Sequence, residues 1–267
     1  MNSDKVKEVV VAQIAALNEL CRGVSPGFDV ESVHQFRVSF KYLRSFLRLI
    51  RMHNEDKGLR LPEGYKKLYR AAGLVRDAQL ESAHVLQNEP DLQNYHALVA
   101  ERLELGKKEW DRNFSTTMLA KFHKQAVNWK AFDLPEGVLA NFIRHRFDSM
   151  QTQMDSRHPD DENLHLVRKD AKDIINTTLL AEDESPEDMR TVRHDIPLNE
   201  LSKMADEIGE YNNERNRLQN LSGFEAPSGR ERKRVQAIKK ETGTRVKKHK
   251  KGLVEAIRDL LLKTHKK

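Results

Sequence analysis

Between Val33 and Arg51 every charged side chain is basic, and His34, Arg37, Lys41, Arg44, Arg48 and Arg51 recur at steps of three and four residues. On an α-helix that spacing stacks them into one cationic stripe. Arginine can fork onto two phosphoryl oxygens while lysine acts as a point charge, so the mixture suits the holding of a flexible anionic polymer. Like charges so placed repel by roughly 0.2–0.5 kcal/mol per pair in an isolated helix. No acid within the stretch offsets that repulsion, and a polyanionic partner would. A second basic cluster begins at His165 and continues through Arg168, Lys169 and Lys172. Histidines beside arginines disfavour the imidazolium form, and a bound polyanion favours it, so His34 and His165 are expected to gain protons on binding near neutral pH.

The helix that positions the first stripe is legible from its apolar residues. Phe36, Phe40, Leu43, Leu47 and Ile50 share the helical period and lie about a quarter-turn from the basic row at about 100° per residue, so one flank can be buried while the other stays wet. Breaks at Ser25-Pro26-Gly27, 54–64, Glu89-Pro90-Asp91, Leu134-Pro135-Glu136-Gly137, His158-Pro159, 184–197 and 226–229 separate eight segments of helical spacing. These are 3–22, 29–53, 63–89, 91–132, 136–157, 161–182, 198–221 and 229–264, and none alternates with period two. The expected fold class is all-α.

Charge is segregated. The chain of 267 residues carries a net charge of +6, yet residues 230–267 hold +11 and 33–51 hold +5, which leaves the remainder at −10. Two basic blocks in an acidic chain point to a directed electrostatic site for an extended anion. Cys21 is the sole cysteine, which excludes an intrachain disulfide and a cysteine-rich zinc centre and fits a reducing cytoplasm. The apolar stretch Val9–Leu17 lacks a basic leader and reads as an amphipathic helix, and no run approaches the roughly 20 apolar residues of a membrane span, so no membrane partner is expected.

The second four segments echo the first four. His165, Arg168 and Lys172 repeat the spacing of His34, Arg37 and Lys41 at an offset of 131 residues, and Gly73-x-x-Arg76-Asp77 is answered by Gly209-x-x-Asn212-Asn213 at an offset of 136. Matches in the same order indicate duplication into halves 1–133 and 134–267 of a single domain. A helix-interior glycine costs about 1 kcal/mol relative to alanine, so Gly73 and Gly209 are expected where helices approach closely. Ile175 and Leu179 stand where the first copy has Arg44 and Arg48, so the N-terminal half is expected to contribute more of the binding.

Val33-His34-x-x-Arg37-Val38-x-x-Lys41-x-Leu43-Arg44 resembles the opening signature of the conserved histidine α-helical domain, the CHAD family, and Leu164-His165-x-x-Arg168-x-x-x-Lys172 resembles its second copy. Gly73-Leu74-Val75-Arg76-Asp77 is similar to the glycine and Arg-Asp pair of the third helix in that family. The resemblance implies eight helices in two pseudo-symmetric four-helix bundles packed around a basic central cleft that binds inorganic polyphosphate. The chain departs from the pattern at Tyr42, Ile175 and Asn212-Asn213. Strands alternating Glu and Lys, as in the triphosphate-tunnel domain that often accompanies the family, are absent, so a binding module alone is expected.

The candidate polyphosphate contacts are His34, Arg37, Lys41, Arg44, Arg48 and Arg51, then Lys66, Arg70 and Arg76, then His165, Arg168, Lys169, Lys172 and Lys203, with Lys247 and Lys248 from the C-terminal block. Asp77 is expected to orient a neighbouring arginine by a charge-assisted hydrogen bond. Non-catalytic polyphosphate binding in the cytoplasm is the first reading, with no cofactor or metal, and association with polyphosphate granules is left open. Nucleic-acid binding is the alternative, though aromatic stacking platforms are not evident on the basic face. A metal-dependent phosphohydrolase ranks third, because no P-loop, acid-rich metal cluster or His-Glu-x-x-His pattern occurs.

Overall fold

Asp29 stops one helix from running into the next: its carboxylate accepts the backbone N–H groups of Glu31 and Ser32 at 2.9 and 3.0 Å and so starts the helix that carries the basic stripe. The structure, a computed structural model, describes residues 1–55, 58–184, 198–227 and 229–264. Among the described residues it holds nine α-helices and no strand. They are α1 (Ser3–Val24), α2 (Val30–His53), α3 (Glu63–Asn88), α4 (Gln93–Asn113), α5 (Thr116–Asn128), α6 (Val138–Met154), α7 (Asp161–Glu184), α8 (Leu198–Ser222) and α9 (Gly229–Thr264). No helix among the described residues is long and apolar enough to cross a membrane.

The all-α expectation holds, but the helix count among the described residues is nine and not eight. The segment expected to run unbroken over 91–132 divides into α4 and α5. Phe114 leaves the helix in extended backbone, and the Ser115 hydroxyl accepts the N–H of Met118 at 3.3 Å, restarting the chain without a glycine or proline to announce the break. Of the break expected over 184–197, Glu184 ends α7 and residues 185–197 lie outside the described residues.

The chain divides into two compact units, Met1–Pro135 with Ala226–Glu231, and Glu136–Glu225 with Arg232–Lys267. In the first unit α1 packs on α2 and α5, α2 on α3, and α3 on α4, so this unit has five helices where four were expected. Phe36, Phe40, Leu43, Leu47 and Ile50 of α2 are all buried. The turn before α2 is fixed from two sides. Trp110 packs edge-on against Phe28 and donates from Nε1 to the Ser25 hydroxyl at 3.2 Å, and Gln79 donates to the Phe28 carbonyl at 2.7 Å. Phe28 holds a left-handed φ of 52°, a conformation a bulky residue adopts only under such constraint. At the start of α4, where Leu92 offers no side-chain cap, the buried carboxylate of Glu231 accepts from Asn94 Nδ2 at 2.7 Å and the Tyr95 N–H at 3.3 Å.

In the second unit α6, α7, α8 and α9 share one core built from residues such as Met150, Ile174, Ile208 and Ile257. Burial of Leu253, Ile257, Leu260 and Leu261 shows that α9 docks by its apolar face. The acids Asp170 and Asp173 of α7 are buried and face Arg146 of α6 at 3.2 and 3.7 Å, with Ser149 donating to Asp170 at 2.7 Å. These contacts compensate charges whose burial alone would be costly.

Candidate anion-binding faces

Packing of α2 on α3 brings two basic rows of the first unit together. Arg37 spans the seam. Its Nη1 donates to the carbonyl of Tyr69 at 3.2 Å, and its guanidinium lies over the Tyr69 ring at 4.8 Å from the centroid. Arg44 approaches the same ring at 5.5 Å and the Phe40 ring at 5.8 Å. Tyr69 in turn stacks on Phe40 at 4.3 Å between centroids with planes 17° apart. One half-buried tyrosine thus supports two guanidinium groups, each such contact contributing about 0.5–1 kcal/mol. Tyr69 was not among the residues singled out from sequence, although it lies three residues after Lys66 on the same helical face.

Around this seam, His34 is exposed and Lys41, Arg48 and Arg76 are half-buried. Arg76 reaches back toward the carbonyl of Val30 at 3.5 Å. Lys66 and Arg70 are exposed on α3 and share Glu63, Lys66 at 3.3 Å and Arg70 in direct hydrogen bond. Hydrogen bonds from Arg70 and Lys66 hold the Glu63 carboxyl below its usual range. At the far end of α2, Arg51 pairs with Glu55 at 3.6 Å, which partly neutralises the end of the stripe.

Asp77 does not make the direct arginine contact expected of it. Surrounding protein pushes its carboxyl up, and Arg37 and Arg76 pull it down through charge alone. Arg37 is oriented by the Tyr69 carbonyl instead.

The second unit repeats the central contact. Arg168 of α7 donates from Nε to the carbonyl of Ala205 on α8 at 2.9 Å. Tyr69 and Ala205 each precede a glycine, Gly73 and Gly209, by four residues. A Cβ built on Gly73 would lie 2.7 Å from Arg37 Nη1, and one on Gly209 would lie 3.1 Å from Arg168 Nη2. The close approach expected at both glycines therefore exists, but an arginine makes it and not a second helix backbone. Backbone crowding occurs at Gly106, where a Cβ would meet the Val75 nitrogen at 3.0 Å.

The rest of the second face is more neutral. Lys172 pairs with Asp206 at 2.9 Å. His165 and Lys203 are exposed on α7 and α8, and Lys169 is half-buried beside Arg168. On α9, Lys247 and Lys248 are exposed. Neighbouring cations of that helix are engaged elsewhere: Arg245 with Glu214 at 2.6 Å, Lys250 with Asp161 at 2.7 Å, and Arg258 with the carbonyls of Met154 and Ser156. Lys248 borders a groove of about 410 Å³ whose other walls include Glu207, Glu214, Arg245 and His249, so acids offset bases there. Among the described residues no group of three or more His, Cys, Asp or Glu side chains is placed to hold a metal ion.

The family model of the CHAD domain matches residues 8–215. The fold is similar to the crystal structure of the CHAD domain from the plant Ricinus communis, with a TM-score of 0.74 over 98% of this chain and 91% of that one. Sequence identity across that alignment is 16%, so this likeness speaks for the fold alone. No curated protein matches the chain.

Proposed function

We propose, from the premise that this chain belongs to the CHAD domain family, that it binds inorganic polyphosphate through the basic faces of its two units without converting it chemically. The general association of CHAD domains with polyphosphate supports this reading. The observation that carries it is the seam of α2 and α3, where Arg37 and Arg44 are held over Tyr69 and flanked by Lys41, Lys66 and Arg70. Guanidinium groups held in place by a carbonyl and a ring lose less freedom on meeting a phosphate than mobile side chains do. Each face binds the polymer, the first more strongly, and contact with many phosphates releases counterions, so affinity falls steeply with salt.

The nucleic-acid alternative gains nothing from Tyr69. Its ring is stacked on Phe40 and approached by two arginines, which leaves it poorly suited as a platform for a base. Cytoplasmic residence, with polyphosphate granules as one place of encounter, goes with the polyphosphate reading.

Filter binding of long-chain polyphosphate under salt titration, with RNA as competitor at equal phosphate concentration, tests it. Salt-sensitive binding that RNA does not displace is the expected result. Displacement by RNA would move the function to nucleic acid, and Mg²⁺- or Mn²⁺-dependent shortening of the polymer that His34→Ala abolishes would make the protein an enzyme.

A further inference from the structure

We propose that Gly73 and Gly209 are positioning residues of the anion site: in each unit the missing Cβ makes a seat that fixes one arginine across two helices. This rests on the polyphosphate reading above and names how its central arginines are oriented.

Glycine is disfavoured inside a helix relative to almost every other residue, so each of these two positions needs a local cause. At Gly73 the three atoms nearest a built Cβ belong to the Arg37 guanidinium, the closest at 2.7 Å. At Gly209 the three nearest belong to Arg168, the closest at 3.1 Å. In both units the same arginine donates to the carbonyl four residues before the glycine, Tyr69 at 3.2 Å and Ala205 at 2.9 Å. A regular helix pairs that carbonyl with the glycine's own N–H, and its second lone pair is open to a further donor only if no side chain covers it. Glycine uncovers it.

The arginine then rests against the neighbouring helix with one donor committed before any ligand arrives. Recurrence of the whole device, arginine, carbonyl and glycine, in two units with different surroundings separates it from an accident of packing. The first copy adds the Tyr69 ring beneath the guanidinium, and the second has Ala205 at the matching position.

Gly73→Ala places a methyl group against the far end of a flexible side chain, so the fold accepts it while the guanidinium moves. Its melting temperature is expected to equal or exceed that of the wild-type protein, because alanine favours helix. Its polyphosphate affinity is expected to fall about fivefold, the scale of one misplaced charge-assisted contact. In an Arg37→Ala background the same glycine substitution should cause no further loss, since the seat acts only through its arginine. Gly23→Ala in α1, where a Cβ meets nothing within 4 Å, should leave binding unchanged. Wild-type binding that Gly73→Ala leaves intact, or an undiminished loss in the Arg37→Ala background, overturns the seat alone. Absence of salt-sensitive binding by the wild-type protein overturns the polyphosphate reading and the seat with it.

Discussion

Lys172 Nζ lies 2.9 Å from the carboxylate of Asp206, an acid three residues before Gly209, whereas the first copy has Arg70 at the matching position before Gly73. One repeat therefore adds a cation where the other neutralises one. The two faces share a seated arginine but differ in net charge. Charge removal at Arg37, Lys41 and Arg44 together should weaken polyphosphate binding more than removal at Arg168, Lys169 and Lys172. Asp206→Asn, which releases Lys172, should tighten binding by about twofold, within the range of exposed ion pairs. Equilibrium titration of the three variants checks the order, and parity between the two triple variants would contradict it.

Glu63 plays the same part on the face of the first unit. It engages Lys66 and Arg70 at once, and its depressed pKa keeps it ionised throughout the neutral range. A bound phosphate must compete with that carboxylate for both cations. Glu63→Gln keeps the shape and removes the competitor, so affinity at low salt should rise by about twofold and the salt dependence should steepen. A weaker or unchanged affinity would show that Lys66 and Arg70 stand outside the contact.

Much of this organisation is legible in the chain, and what is not has identifiable causes. Helix bounds such as 229–264 follow from apolar period and capping residues. The break at Ser115 escapes because a hydroxyl cap leaves the apolar period on either side undisturbed. The basic row of α2 and its echo in α7 can be read from spacing, but the row's partners cannot. Tyr69 is one residue among five tyrosines until α3 turns it beneath Arg37 and Arg44, and Asp206 is an ordinary surface acid until α7 packs on α8. The two glycines stand out in sequence as exceptions, yet sequence alone assigns them to helix contact. Only coordinates show an arginine in the gap.

Not every basic cluster of this chain should matter to a polyanion. Lys107 and Arg112 of α4 are paired within their own helix, with Glu104 at 2.7 Å and Glu109 at 2.9 Å, whereas the stripe from Val33 to Arg51 contains no acid. Replacement of Arg37, Lys41 and Arg44 by glutamine is expected to lower affinity by more than about tenfold, taking about 0.5–1 kcal/mol for each lost phosphate contact. Replacement of Lys107, Lys108 and Arg112 should change it by less than about twofold. Similar losses from the two sets would mean diffuse attraction by net charge and no localised face.

Asp161 opens α7 and gathers three partners: the Tyr211 hydroxyl at 2.6 Å, Lys250 at 2.7 Å and Arg215 at 3.2 Å. Burial pushes its carboxyl up, but hydrogen bonds from Lys250 and Tyr211, with the charges of Lys250 and Arg215, outweigh burial and leave it below its ordinary 3.8. A carboxyl whose folded pKa is lowered stabilises the fold fully above its unfolded value and loses that contribution as pH falls through the folded value. The stabilisation from Asp161 should therefore be constant near neutral pH and fade below about pH 3.8. With 39% of the side chain in solvent, the loss is modest. Asp161→Asn keeps a hydrogen-bond acceptor for Tyr211 and gives up the two ion pairs. It should lower the melting temperature by a few degrees at pH 7 and flatten the acid limb of the stability curve, because there is no longer a carboxylate to protonate. Thermal melts from pH 3 to pH 7 separate the outcomes: a variant curve parallel to that of the wild-type protein at every pH would show that the charge of Asp161 contributes nothing to holding α7, α8 and α9 together.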